Sequence, residues 1–129
     1  MDEAKFHMVG LIVEDMESSL EFYRLVGLAD PSRVADHHVQ FRSDTGVTMF
    51  MDDEPTNWDP SFTRGSYGLL LEFYLGSEQA VRAKADELGR NGFPPLREPY
   101  ETPYGMCFAM FRDPDGNTVL LSGEVEKDS

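Results

Sequence analysis

Along the chain, apolar and polar residues switch between two periods, and the switches outline one order of elements that occurs twice. The run FHMVGLIVE, residues 6–14, is rich in β-branched and large apolar side chains and predicts a strand. Asp15 then offers a carboxylate suited to capping a helix. In MESSLEFYRLVGL the apolar positions Met16, Leu20, Tyr23 and Gly27 recur at helical spacing while Glu17, Glu21 and Arg24 take the other face, so an amphipathic helix is expected to stop near Gly27. Val39 and Phe41 alternate with His38, Gln40 and Arg42. The turn residues 43–46 follow, and Val47–Asp52 resumes an extended pattern, which together predict a hairpin. Residues 53–66, with two prolines, a glycine and small polar residues, follow neither period and read as a connector.

Beyond the connector the order returns. Tyr67–Leu75 reads as a strand, Ser77 as a cap, and Val81, Ala85 and Leu88 keep helical spacing up to an Asn91-Gly92 stop. A proline-rich stretch, 93–103, leads to an extended Met106–Arg112, the turn Asp113-Pro114-Asp115-Gly116-Asn117 and a closing strand, Thr118–Ser122. Strand, helix, strand, strand twice over predicts an internal duplication. Neither half has enough strands to bury its own apolar face, so two curved sheets side by side, helices outside, around a concave inner surface are expected; the concavity is the expected site.

Composition narrows the class. A length of 129 residues suits a single domain, here read as one module over about 5–53, a connector over 54–66 and a second module over about 67–123. Eleven Lys and Arg against twenty-four Asp and Glu give a net charge of −13, a field that repels nucleic-acid phosphates and anionic lipids and draws in cationic small molecules. Nucleic acid and membrane are therefore not expected partners. The longest apolar run, Met8–Val13, is far short of a bilayer span, the first residues are acidic, and the lone Cys107 cannot close an internal disulfide; these point to a cytoplasmic protein with Cys107 packed in a core. No Gly-x-Ser-x-Gly elbow, phosphate loop or Cys-x-x-Cys pair is present, so nucleophilic and redox catalysis lack support and no catalytic residue is assigned.

Two segments, GLIVEDMESSLEFYRLVGL near the start and FRDPDGNTVLL near the end, resemble the vicinal oxygen chelate superfamily, which includes glyoxalase I, extradiol dioxygenases and the bleomycin and mitomycin resistance proteins. The resemblance covers about residues 5–123 and implies an α+β fold of two βαβββ modules, with one strand per half more than the periodicity alone supplies. Its enzymes hold a divalent metal through His and Glu from strands of both modules. Here the first-strand His position, seven residues before the capping Asp, belongs to Met8; the second-module counterpart falls at Leu70; the Glu expected three residues past the Asn of the closing turn is Leu120. His7 is one residue out of phase and should point to the opposite face. Thioether and aliphatic groups do not hold such ions, so neither a metal nor another cofactor is expected.

The pattern resembles the metal-free members that bind and sequester antibiotics or other planar molecules, commonly as homodimers. Ligand contacts are then expected from His38, Tyr104 and Trp58 by stacking, from Phe50, Met106 and Phe108 as apolar walls, and from Asp52 in an acidic stretch with Asp53, Glu54 and Asp59. Alternation groups Thr48, Phe50 and Asp52 on one face, and Met106, Phe108 and Met110 on another, without telling which faces line the concavity. Glu72 reads either as a site carboxylate or as an outward, solvated one. The alternative is an enzyme of the same superfamily, a lyase, isomerase or dioxygenase, whose ligands come from atypical positions such as His7 or His38 with Glu72.

Overall fold

The structure, a computed structural model, describes residues 5–28, 31–53 and 69–126. The chain divides into two compact units, 1–65 and 66–129. In the first, β1 (Val9–Ile12) leads to α1 (Met16–Val26), followed by β2 (Ser32–Ala35), β3 (His38–Arg42) and β4 (Thr48–Asp52). The second repeats the order with β5 (Leu70–Ser77), α2 (Glu78–Arg90), β6 (Arg97–Glu101), β7 (Met106–Arg112) and β8 (Thr118–Glu124). Each unit builds one four-stranded mixed sheet, ordered β1-β4-β3-β2 in the first and β5-β8-β7-β6 in the second. In each, the first strand pairs parallel with the last and the other neighbours are antiparallel. This is the α+β, twofold βαβββ architecture expected from the resemblance.

Local chemistry sets the helix limits. Asp15 is extended, and its carboxylate accepts from the backbone N–H of Glu17 at 3.0 Å and of Ser18 at 3.2 Å, supplying partners for donors the first turn leaves open. At the other end Gly27, at φ 131°, takes a backbone conformation that L side chains rarely adopt and returns its N–H to the Tyr23 carbonyl. Ser77 caps α2 by accepting from Ala80 N at 3.1 Å. The stripe of α1 formed by Met16, Leu20, Phe22, Tyr23 and Val26 is buried, as are Val81, Ala85 and Leu88 of α2.

The sheets bury one side more than the other. Leu11, Val39, Phe41, Met49 and Met51 form the buried side of the first sheet; the partly exposed side carries His38, Gln40, Thr48, Phe50 and Asp52. In the second, α2 contacts all four strands, and Cys107, Ala109, Phe111, Val119 and Leu121 are fully buried. Cys107 is a core thiol, and its burial pushes its pKa up from the ordinary thiol value.

Two elements differ from what periodicity alone indicates. Strands β2 and β6 are not legible in the apolar pattern: β2 is exposed along its whole length, β6 is mostly exposed and carries Pro99, and both pair through irregular register. An edge strand with little to bury has no reason to alternate apolar and polar residues. The first strand is also shorter than the apolar run suggests, because Phe6, His7 and Met8 precede it and Phe6 is 90% exposed.

Candidate functional site

Two faces collect polar and aromatic side chains, one in each unit. On the first sheet, the antiparallel register puts His38 opposite Asp52 and Gln40 opposite Phe50, while the parallel register puts Gly10 on the other flank of Phe50. Alternation along β3 and β4 thus turns four chemically distinct side chains to one side. Asp52 Oδ1 lies 2.5 Å from His38 Nδ1, and Gln40 Nε2 lies 3.1 Å from His38 Nε2. Both members of the His38–Asp52 pair are partly buried, with side-chain exposures of 28% and 16%. The His38 and Phe50 rings sit 5.3 Å apart, tilted by 30°. Phe50 reaches across β1 so closely that a Cβ at residue 10 would overlap its ring, so glycine there leaves the ring room to lie where it does. The neighbouring His37 makes a similar contact, 2.7 Å to Asp53, but in a more exposed setting.

On the second sheet the corresponding face is turned away from α2. Phe108 stands opposite Tyr100 of β6 and Ser122 of β8; Met110 stands opposite Leu120, which pairs in turn with Glu72. Tyr100 and Tyr104 both approach Phe108 edge-on, with centroids at 6.1 Å and 6.0 Å, and the Arg97 guanidinium lies 3.6 Å over the Tyr100 ring. Such edge-to-face contacts suit the ring quadrupoles and leave Tyr104, 69% exposed, with most of its surface open. Glu72 accepts a 2.7 Å hydrogen bond from the buried Ser122 hydroxyl, and the Tyr74 hydroxyl donates to Glu124 at 3.1 Å, a bond that raises the Tyr74 pKa.

His38, Phe50 and Asp52 are therefore brought together, and so, separately, are Tyr104, Met106 and Phe108 on the second face. Trp58, Glu54 and Asp59 lie outside the described residues. Periodicity did not single out Gln40, Gly10, Tyr100 or Ser122. Gln40 was within reach of it, being two residues from His38 on the same strand; Tyr100 was hidden by the prolines around it. Glu72 points away from α2, on the same face as Phe108, where its Ser122 bond fixes it.

A family profile, the Glyoxalase/Bleomycin resistance protein/Dioxygenase superfamily, matches residues 5–121. The chain belongs to this superfamily. Solved structures of the glyoxalase/bleomycin resistance type share its fold. A hypothetical protein from S. aureus is 18% identical with a TM-score of 0.78, covering 95% of each chain. A glyoxalase/bleomycin resistance protein/dioxygenase family enzyme from Burkholderia phytofirmans is 18% identical at TM-score 0.77, covering 94% of this chain and 99% of its own. A lactoylglutathione lyase from Agrobacterium tumefaciens is 19% identical at TM-score 0.69, covering 95% and 96%. A search of curated proteins finds no match.

A divalent ion of the kind the superfamily's enzymes hold does not fit the described residues at the positions where the resemblance expects its ligands. Leu70 and Leu120 share the second face with Glu72, and Leu120 is buried there, so aliphatic carbon stands where nitrogen or oxygen donors are needed. Met8 runs in phase with Gly10 and offers a thioether, a soft donor poorly matched to such ions. Among the described residues no three His, Cys, Asp or Glu side chains converge on one point.

Proposed function

We propose that this superfamily member binds and sequesters flat small molecules of the antibiotic type without a metal ion, in the cytoplasm and as a homodimer. The observation that carries the proposal is the donor set: Met8, Leu70 and Leu120 occupy the positions where the resemblance expects ligands, while the polar groups on both faces are engaged with one another. Affinity then comes from area and stacking. Covering about 200 Å² of apolar ligand surface is worth about 5 kcal/mol before the costs of association. Ring edges and faces at His38 and Phe50 on the first face, and separately at Tyr104 and Phe108 with Met106 on the second, are the surfaces that offer such area; Asp52 and the net charge of −13 favour cationic compounds.

The deciding measurement is metal content after purification without chelator. Far less than one divalent ion per chain is expected, and near-stoichiometric metal would overturn the reading. A screen of planar antibiotics by fluorescence quenching of Trp58, the single tryptophan, should find at least one saturable ligand. Light scattering should give twice 14.6 kDa. The second reading, a metal-dependent lyase, isomerase or dioxygenase with atypical ligands, draws on Glu72, whose carboxylate lies across from Leu120 in register. It requires the opposite result for metal.

A further inference from the structure

The polar groups on the first sheet form a chain with a direction. A carboxylate is an acceptor only, so Asp52 requires the N–H of His38 at Nδ1. In the neutral imidazole this leaves Nε2 as an acceptor, which in turn requires Gln40 to present its NH₂ group, so the amide's carbonyl oxygen is the acceptor that ends the chain. The orientation of an amide and the tautomer of a ring, ordinarily ambiguous, both follow from one carboxylate. Phe50, 5.3 Å from the His38 ring, provides an apolar surface beside this acceptor line.

We propose that the Asp52–His38–Gln40 chain makes the first face a reader of hydrogen-bond donors, selecting flat compounds that carry N–H or O–H groups at their edge over equally flat compounds whose edge is methylated. The inference rests on the proposed binding function and adds the ligand chemistry. A donor at the ring edge meets the Gln40 carbonyl, or displaces the Gln40 amide and meets His38 Nε2. A methylated edge leaves the Gln40 carbonyl unpaired beneath the ligand while His38 Nε2 keeps its bond from the Gln40 amide, and that unpaired acceptor is the larger part of the discrimination.

The probes are proflavine and acridine orange, tricyclic cations of one ring system that differ in bearing amino or dimethylamino groups. Titrated by dye fluorescence at pH 8.5, the protein should bind proflavine about tenfold more tightly, the scale of one well-made hydrogen bond in a desolvated site. Asp52→Asn, nearly isosteric but able to donate or accept, releases the direction of the chain and should bring the ratio close to one. Equal affinity of the unaltered protein for both dyes overturns the inference and leaves the binding function standing; failure of both dyes to bind overturns the two together. A ligand-free measurement checks the premise: long-range ¹H–¹⁵N spectra, with His38 assigned by its loss in His38→Gln, should show Nδ1 protonated and Nε2 bare. Protonation at Nε2 with Nδ1 bare overturns the inference whatever the dyes do.

Discussion

Replacing Gly10 with alanine is the smallest change that tests how the first face is assembled. A Cβ there would come within 3 Å of three Phe50 ring atoms, closer than carbon atoms tolerate, so the ring must rotate away. Forcing a methyl group into such a contact costs about 1–3 kcal/mol. Against that stands the relief of glycine's backbone entropy in a strand, about 0.5–1 kcal/mol. Taking the middle of each range, the net expectation is a loss of about 1 kcal/mol, read in urea unfolding followed by circular dichroism as a midpoint lowered by about 0.5 M at a slope of about 2 kcal/mol per M. Rotation also takes Phe50 from its 5.3 Å approach to His38, so under the proposed binding function affinity for planar ligands should fall with stability. The cause is isolated by a double-mutant cycle: in a Phe50→Ala background the added methyl meets open space, and Gly10→Ala should become neutral or stabilising. A single Gly10→Ala variant as stable as the unaltered protein, or equal costs in both backgrounds, would refute the reasoning.

Two further outcomes follow from buried groups. Asp113 and Asn117 are almost wholly buried, and the Asp113 carboxylate accepts from Asp115 N, Asn117 N and Asn117 Nδ2 at 2.8–2.9 Å, so Asp113→Ala should cost about 3 kcal/mol in chemical unfolding. Asp113→Asn, which trades one acceptor oxygen for a donor facing Asn117, should recover only part of it. Because burial raises the folded-state pKa of Cys107, its contribution to stability is complete below the unfolded thiol's value, about 8.5, and is lost as pH rises above it. Between pH 7.5 and 9.5 the urea midpoint of the unaltered protein should therefore fall further than that of Cys107→Ala, and parallel slopes would refute the assignment.

Much of this was legible in the chain because local and tertiary demands agree. Asp15, Gly27 and Ser77 mark helix ends by hydrogen bonding and backbone geometry that depend on neighbours a few residues away, and they stand where the pattern expects them. The pairing of Phe50 with Asp52 on one face, and of Met106 with Phe108 on another, followed from strand alternation alone. Which face of β4 and β7 was buried did not follow, since Met49 and Met51 are no more apolar than Phe50, nor Cys107 and Ala109 than Met106 and Phe108, and only the packed structure distinguishes them. Strands β2 and β6 escaped because exposed edges leave no periodic trace. Gln40 and Ser122 escaped for another reason: their importance lies in partners on a neighbouring strand or side chain, His38 and Glu72, and hydrogen-bond pairing leaves no mark in hydropathy.

On the first sheet the side that carries stability and the side that carries chemistry are separate sets of residues. Gln40, Thr48 and Phe50 are only partly buried, so exchanging them one at a time should perturb folding far less than exchanging Val39, Phe41 or Met51 just beside them in sequence. That arrangement lets variants accumulate at every second position of β3 and β4 while the scaffold survives each step, so the open side of the sheet can change its chemistry without loss of the fold.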